Sequence, residues 1–176
     1  MIASSALLSE RAPRFNLSAT CSAGLRHDTD ARVKYLVRSA CSSDYKYCYR
    51  LTRRNMFALF CRHWGGWVPA EFRKSFNPDN VSMVIMNGRR VGYMSVRRDD
   101  QGIYVENIQL SPSLHGKGVG TELLGRLLSL HEEELVRLTT FRDNPARRLY
   151  ERLGFVVTER DGETLRMARF PDKASA

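Results

Sequence analysis

No stretch of this sequence approaches the roughly 20 consecutive apolar residues that span a bilayer, so a membrane partner is set aside. Cysteine is scarce and badly spaced for a staple: the four, Cys21, Cys41, Cys48 and Cys61, form no CxxC pair. The four histidines, His27, His63, His115 and His131, form no HxxxH or HExxH pair. No metal is therefore expected, and the thiols read as free in a reducing, cytoplasmic compartment. Cys61 and His63 stand two apart on a helical stretch and face different ways, which rejects them as a nucleophile and its base. Acidic residues are also few: 19 Asp+Glu against 28 Lys+Arg leave a net charge of +9. That sign suits anionic ligands, but the arginines fall as scattered pairs (53–54, 89–90, 97–98, 147–148) rather than one block, which argues against nucleic acid.

What is present suits one domain. A chain of 176 residues with 43% hydrophobic content can bury a core without disulfides. Residues 1–30 are rich in Ser and Ala, aperiodic, and read as a disordered extension rather than an organellar leader; residues 31–172 read as the folded unit. A short strand is expected over 33–39, then a helix over 44–64 with Tyr45, Tyr49, Met56 and Phe60 as its buried face. A second helix starts at Pro69. "VSMVIM" (81–86) and "RVGYMSVRR" (90–98) flank Asn87-Gly88, the strongest short hairpin signal, and "IYVENIQL" (103–110) extends the meander. A helix with Val119, Leu123 and Leu127 on one stripe, a strand over 135–141, a helix within 144–154 and a closing hairpin follow. The fold class is α/β: a single-domain, mixed, mostly antiparallel central sheet with helices on both faces.

Between the third meander strand and the leucine-rich helix stands "SPSLHGKGVGTELL", residues 111–124. A glycine-rich turn at a helix N-terminus presents free backbone N–H groups and the positive end of the helix dipole, a site for phosphate. Gly116, Gly118 and Gly120 let a ligand approach the main chain; Lys117 adds a cation and Thr121 a hydroxyl. The pattern is not a P-loop, because Ser111 stands where its first glycine belongs and Gly118 follows Lys117. It is not a dinucleotide fingerprint either, because Thr121 replaces the last glycine.

With a second block, "NPARRLYERLGF" (144–155), this stretch resembles the GNAT superfamily of N-acetyltransferases over about residues 33–170. The family's pyrophosphate loop, Q/R-x-x-G-x-G/A, matches His115 to Gly120, with His115 in the place of the usual Gln or Arg. The resemblance implies that His115, Gly116, Lys117, Gly118, Val119, Gly120 and Thr121 cradle the pyrophosphate of acetyl-CoA. It also implies that Asn144 contacts the pantetheine arm, that main-chain groups of Ile108 and Leu110 pair with it, and that Tyr150 stands near the thioester sulfur. Asn144 is six residues before Tyr150, where seven is the commoner spacing and falls on Asp143.

Attack on a thioester needs a neutral amine, whereas an alkyl ammonium has a pKa near 10.4, so a proton must be carried off. Glu106 is the one acidic residue in the strand before the cradle; it is either the base (or a water-holding carboxylate) or a solvent-facing glutamate. Simple alternation puts it on one face with Ile108 and Leu110. Trp64 and Trp67 are candidate walls for the acceptor. The resulting expectation is an N-acetyltransferase with acetyl-CoA as co-substrate and an amine as acceptor, working by direct attack in a ternary complex. The alternative is a non-catalytic acyl-CoA-binding module on the same fold. The acceptor's identity and homodimer formation are left open.

Overall fold

The computed structural model describes residues 34–171; the extension expected over residues 1–30 lies outside them. In chain order the elements are β1 (Leu36–Ser39), α1 (Tyr45–Trp64), α2 (Pro69–Ser75), β2 (Val81–Met86), β3 (Arg89–Asp99), β4 (Gly102–Leu110), α3 (Val119–Leu130), β5 (Val136–Phe141), α4 (Arg147–Arg152), β6 (Val156–Asp161) and β7 (Thr164–Arg169). The strands form one sheet in the order β1-β2-β3-β4-β5-β7-β6. Among the described residues its only parallel pair is β4–β5, which the crossover through α3 connects. Asn87 and Gly88 close the β2–β3 hairpin, both at positive φ (50° and 71°), which a two-residue turn with the right twist requires.

Each face of the sheet carries its own core. On one side, Leu123, Leu124 and Leu127 of α3 and Tyr150 of α4 pack on Val96, Ile103, Val105, Leu138 and Met167. On the other, α1 and α2 lay Cys48, Leu51 and Phe72 over Val81, Met83 and Tyr93. The deepest residues of α1 are Cys48, Leu51 and Thr52, so its buried stripe is rotated from the expected one; Tyr45, Tyr49, Met56 and Phe60 are only half buried. The rotation has a cause. Tyr45 and Tyr49 turn sideways into an aromatic cluster with Phe72, Phe76 and Trp67 and leave small side chains to meet the sheet. Thr52 pairs its hydroxyl with that of Tyr93, which satisfies two buried polar groups at once.

α1 also strides across the sheet. Its start lies over β2, where the Cys48 sulfur meets that of Met83 at 3.7 Å. Its middle reaches β4, where Asn55 Nδ2 donates to Gln109 Oε1 at 2.9 Å and to the carbonyl of Leu110 at 3.0 Å. Its end lies over β5, where Phe60, His63 and Trp64 surround Phe141 with ring centroids 4.8–5.6 Å apart. α1 thus bridges the one parallel pair of the sheet.

The start of α1 is fixed by Asp44, which is 1% exposed. Its carboxylate accepts from Arg38 at 2.8 and 3.0 Å, from Arg90 at 3.1 Å and from the N–H of Cys41 at 3.0 Å, and so ties β1, the helix start and β3 together. The hydrogen bonds from Arg38 hold its carboxyl far below the usual carboxylate range. A group depressed on folding stabilises the native state above its unfolded pKa of about 3.9 and loses that contribution as the pH falls below it. Asp44→Asn is therefore expected to cost about 2 kcal/mol in urea unfolding at pH 7. The difference from the wild type should narrow as the pH is lowered from 5 to 3.

Candidate active site

The site is built around a fork in the sheet. β4 and β5 pair only at Ile103–Val136, Tyr104–Arg137 and Val105–Leu138, although both strands run on, to Leu110 and Phe141. Beyond Val105 the edge of β4 that faces β5 has no strand partner. Which groups line that edge follows from the register on the other side. The N–H of Ser111 donates to the carbonyl of Val91 at 2.7 Å, so Val91 and Ser111 form a hydrogen-bonded pair. Bonded and non-bonded pairs alternate in an antiparallel ladder, which makes Gly92–Leu110 and Met94–Ile108 non-bonded pairs. The main-chain groups of Ile108 and Leu110 therefore turn away from β3 and into the fork. The carbonyl of Leu110 is already engaged by Asn55 and by His115 Nε2 at 3.1 Å. The Leu110 N–H and both groups of Ile108 remain as the edge.

The glycine turn sits at the open end of the fork. Gly116 and Gly118 have φ of 74° and 78°, the left-handed region, and a side chain on either would meet nothing within 4 Å. Conformation demands glycine there, and the space beside the backbone is open. Gly118 is the N-cap of α3, and the first closed bond of the helix runs from the N–H of Glu122 to its carbonyl at 2.9 Å. The N–H groups from Gly118 to Thr121 thus have no partner within the helix. Gly120 answers a different constraint. A Cβ there would lie 3.3 Å from Leu149 Cδ2 and 3.6 Å from Leu110 Cδ1, so it lets α3, α4 and the end of β4 converge. Lys117 is exposed beside the loop. His115 is exposed as well, with its ring on the strand end rather than over the loop.

The helix expected within 144–154 is one and a half turns long. Asn144 Oδ1 accepts from the N–H of Ala146 at 3.0 Å and so shapes the turn that starts α4, which leaves its NH₂ as a donor. Asp143, at the commoner position for the family's asparagine, is bound to Arg62 and to His63 Nε2 at 2.8 Å. Chiefly through the His63 bond, its carboxyl is held below the ordinary aspartate range. His63 stacks on Phe141, and its Nδ1 lies 3.2 Å from Glu163. This cluster ties the end of α1 to the loop that carries Asn144.

Tyr150 is 7% exposed, with its ring edge-on to Phe155 at 6.1 Å, and burial pushes its hydroxyl up to about 12. Glu106 lies elsewhere than alternation predicted. Ser95 pairs with Asn107 and Val96 with Val105, so Glu106 is the extra residue of a β-bulge. The bulge resets the alternation. Ile108 and Leu110 return to the α3 side with Val105, whereas Glu106 and Asn107 face the α2 side and line a pocket of about 200 Å³ there. Ser95 Oγ donates to Glu106 Oε2 at 2.6 Å, and Arg97 Nε lies 3.4 Å from Oε1. Glu106 and Tyr150 thus stand in the packing of opposite faces.

Several participants carried no warning in the sequence. Asn55, Gln109 and Asn107 form a chain of carboxamides along β4, with Gln109 Nε2 donating to Asn107 Oδ1 at 2.8 Å. The available signal was a polar residue three after Thr52 on the buried stripe of α1. Trp64 and Trp67 do not line the pocket. Trp67 packs on Tyr49 and Phe72, and Trp64 is 60% exposed beside Phe141. The Cys48 thiol, pushed up to about 12 by burial, is no nucleophile. Among the described residues no three His, Cys, Asp or Glu side chains converge as a metal site would require. Nor is any helix there long and apolar enough to cross a membrane.

A family model for GNAT acetyltransferases matches residues 48–155, more than half of the chain. The chain belongs to the GNAT acetyltransferase family. Acyl transfer from acetyl-CoA is the activity that this membership supports, and the fork and the glycine turn are where the family's chemistry is to be sought. Solved GNAT structures share the fold. The PaiA N-acetyltransferase of Thermoplasma acidophilum, in complex with coenzyme A, is 14% identical with a TM-score of 0.63, over 78% of this chain and 99% of that one. The ribosomal-protein-S18-alanine N-acetyltransferase of Escherichia coli is 19% identical with a TM-score of 0.61, over 81% and 97%. Naa50 of Arabidopsis thaliana, bound to the bisubstrate analogue CoA-Ac-MVNAL, is 12% identical with a TM-score of 0.54, over 76% and 96%. None of the curated proteins matches the chain.

The fit of a GNAT cradle to an anion can be tested at Gly118. An L side chain in the left-handed region costs about 1–2 kcal/mol, and relaxation of the loop would turn the N–H groups away. Gly118→Ala is expected to weaken CoA binding at least about ten-fold in calorimetry and to lower the melting temperature by only a few degrees.

Proposed function

We propose that the chain is an N-acetyltransferase that moves the acetyl group of acetyl-CoA to a primary amine by direct attack in a ternary complex. The observation that carries this reading is the fork. Unpaired main-chain groups at Ile108 and Leu110 lead to the free N–H groups of Gly118, Val119, Gly120 and Thr121, a track that suits an amide-bearing arm ending in a pyrophosphate. Gly116 and Lys117 complete the cradle. His115 acts by holding the Leu110 carbonyl, and Asn144 offers its NH₂ to the arm.

The roles of the side chains follow from their surroundings. Glu106, steadied by Ser95, receives the incoming ammonium or the water that carries its proton to solvent. The neutral nitrogen attacks the acetyl carbonyl, the N–C bond forms, the C–S bond breaks, the sulfur leaves as a thiolate, and the second proton of the nitrogen passes to the water beside Glu106 as the amide forms. Tyr150 donates a hydrogen bond to that sulfur. With the hydroxyl near 12 and a thiol near 8.5, complete proton transfer would be uphill by on the order of 5 kcal/mol. Tyr150 therefore stabilises the leaving charge and keeps its own proton.

Acetyl-CoA at about 100 times its Kd should stabilise the protein by about 2.7 kcal/mol, seen as a raised melting temperature. Tyr150→Phe should lower kcat by about 10- to 100-fold, the worth of one hydrogen bond to a developing charge, with the KM for acetyl-CoA unchanged. Binding without thiol release for any amine would leave only an acyl-CoA-binding module. No stabilisation at all would refute the proposal.

A further inference from the structure

The pocket beside Glu106 limits what the acceptor can be. Phe72 and Phe76 at α2, Tyr93 on β3 and Tyr104 on β4 supply its aromatic lining, and Glu106 is its one charged lining residue. Sites for drug-sized ligands usually measure about 300–1,000 Å³, so a space of about 200 Å³ holds one ring or a short aliphatic body. An antibiotic-sized acceptor would leave most of its body outside it.

Its charge is equally restrictive. Arg97 stands on the far oxygen of Glu106 at 3.4 Å and is held more tightly by Asp99, at 2.7 Å. Its guanidinium also covers the Tyr104 ring at 4.6 Å, with Arg137 at 5.6 Å from the same ring. A ligand with one ammonium meets the Glu106 carboxylate; the next carboxylate, Asp99, is already taken by both Arg97 and Arg137, so a second ammonium finds no acid of its own there, in a chain whose net charge is +9. The pocket also borders the fork along the chain. Glu106 and Asn107, which line it, are the residues at which the β4–β5 ladder has just ended.

We infer that the acceptor is a small monocationic amine with an apolar, ring-sized body, which rests on the acetyltransferase reading above. Its body lies among Phe72, Phe76 and Tyr104, and its ammonium lies on Glu106. Polyamines and basic peptide tails are disfavoured by Arg97 and Arg137.

The test uses the full chain with 2-phenylethylamine, spermidine, a peptide with a free N-terminus and, as a neutral isostere, 2-phenylethanol. Thiol release with acetyl-CoA should give phenylethylamine a kcat/KM at least about ten-fold above spermidine and the peptide. Phenylethanol should inhibit at least about ten-fold more weakly than phenylethylamine binds, because it lacks the charge. Ser75→Trp, at an exposed rim position of the pocket, should raise the KM for phenylethylamine about ten-fold or more and leave that for acetyl-CoA unchanged. Turnover that favours spermidine or the peptide, or equal affinity for the alcohol, overturns the inference while the acetyltransferase reading stands. If no amine is turned over, that reading falls by itself. Saturation-transfer NMR then judges the pocket: phenylethylamine binding that Ser75→Trp abolishes supports it, and absence of binding overturns it.

Discussion

A parallel pair of strands that parts after three residues is the constraint from which the rest of the molecule follows. Beyond Val105 alternate residues of β4 keep their bonds to β3, while Ile108 and Leu110 turn their main-chain groups the other way, where no strand meets them. Buried main-chain groups without partners cost as much as lost hydrogen bonds, so such an edge persists only where something else satisfies it. Part of the answer lies in the protein: Asn55 and His115 take the carbonyl of Leu110. The remainder is available to a ligand that itself carries amides.

Keeping the fork open requires braces on both faces. α1 crosses it on one side, fastened to β4 through Asn55 and to β5 through the rings around Phe141. On the other side α3 and α4 meet the end of β4 at Gly120, where a methyl group would already crowd Leu149. The His63–Asp143 contact fixes the loop after β5 to the same helix that spans the gap. Packing on the sheet thus sets the width of the slot, and the glycine turn of α3 sets where it ends.

Much of this was legible in the sequence because it depends on local rules. Asn87-Gly88 announced its hairpin, the leucine stripe announced α3, and the alternating glycines announced the turn that opens that helix. The unexpected features depend on contacts between distant residues. The bulge at Glu106 comes from a register shift between β3 and β4, which no alternation count within 103–110 contains, and it moves the carboxylate to the opposite face. The buried stripe of α1 is rotated because Tyr45 and Tyr49 find Phe72 on α2, and Tyr45 also finds Phe76 just beyond that helix. The pocket unites residues from α2, β2, β3 and β4, and Phe72 and Phe76 there carry no motif.

The central claim is that the fork and the turn that follows it hold acetyl-CoA along one continuous backbone track. Amide hydrogen exchange, resolved residue by residue with and without CoA, tests it most directly. Exchange should slow at Ile108 and Leu110 and at Gly118, Val119, Gly120 and Thr121, and change little along β6 and the exposed side of α1. Saturating CoA that leaves those six amides unaffected, or protects a different surface, would contradict the account.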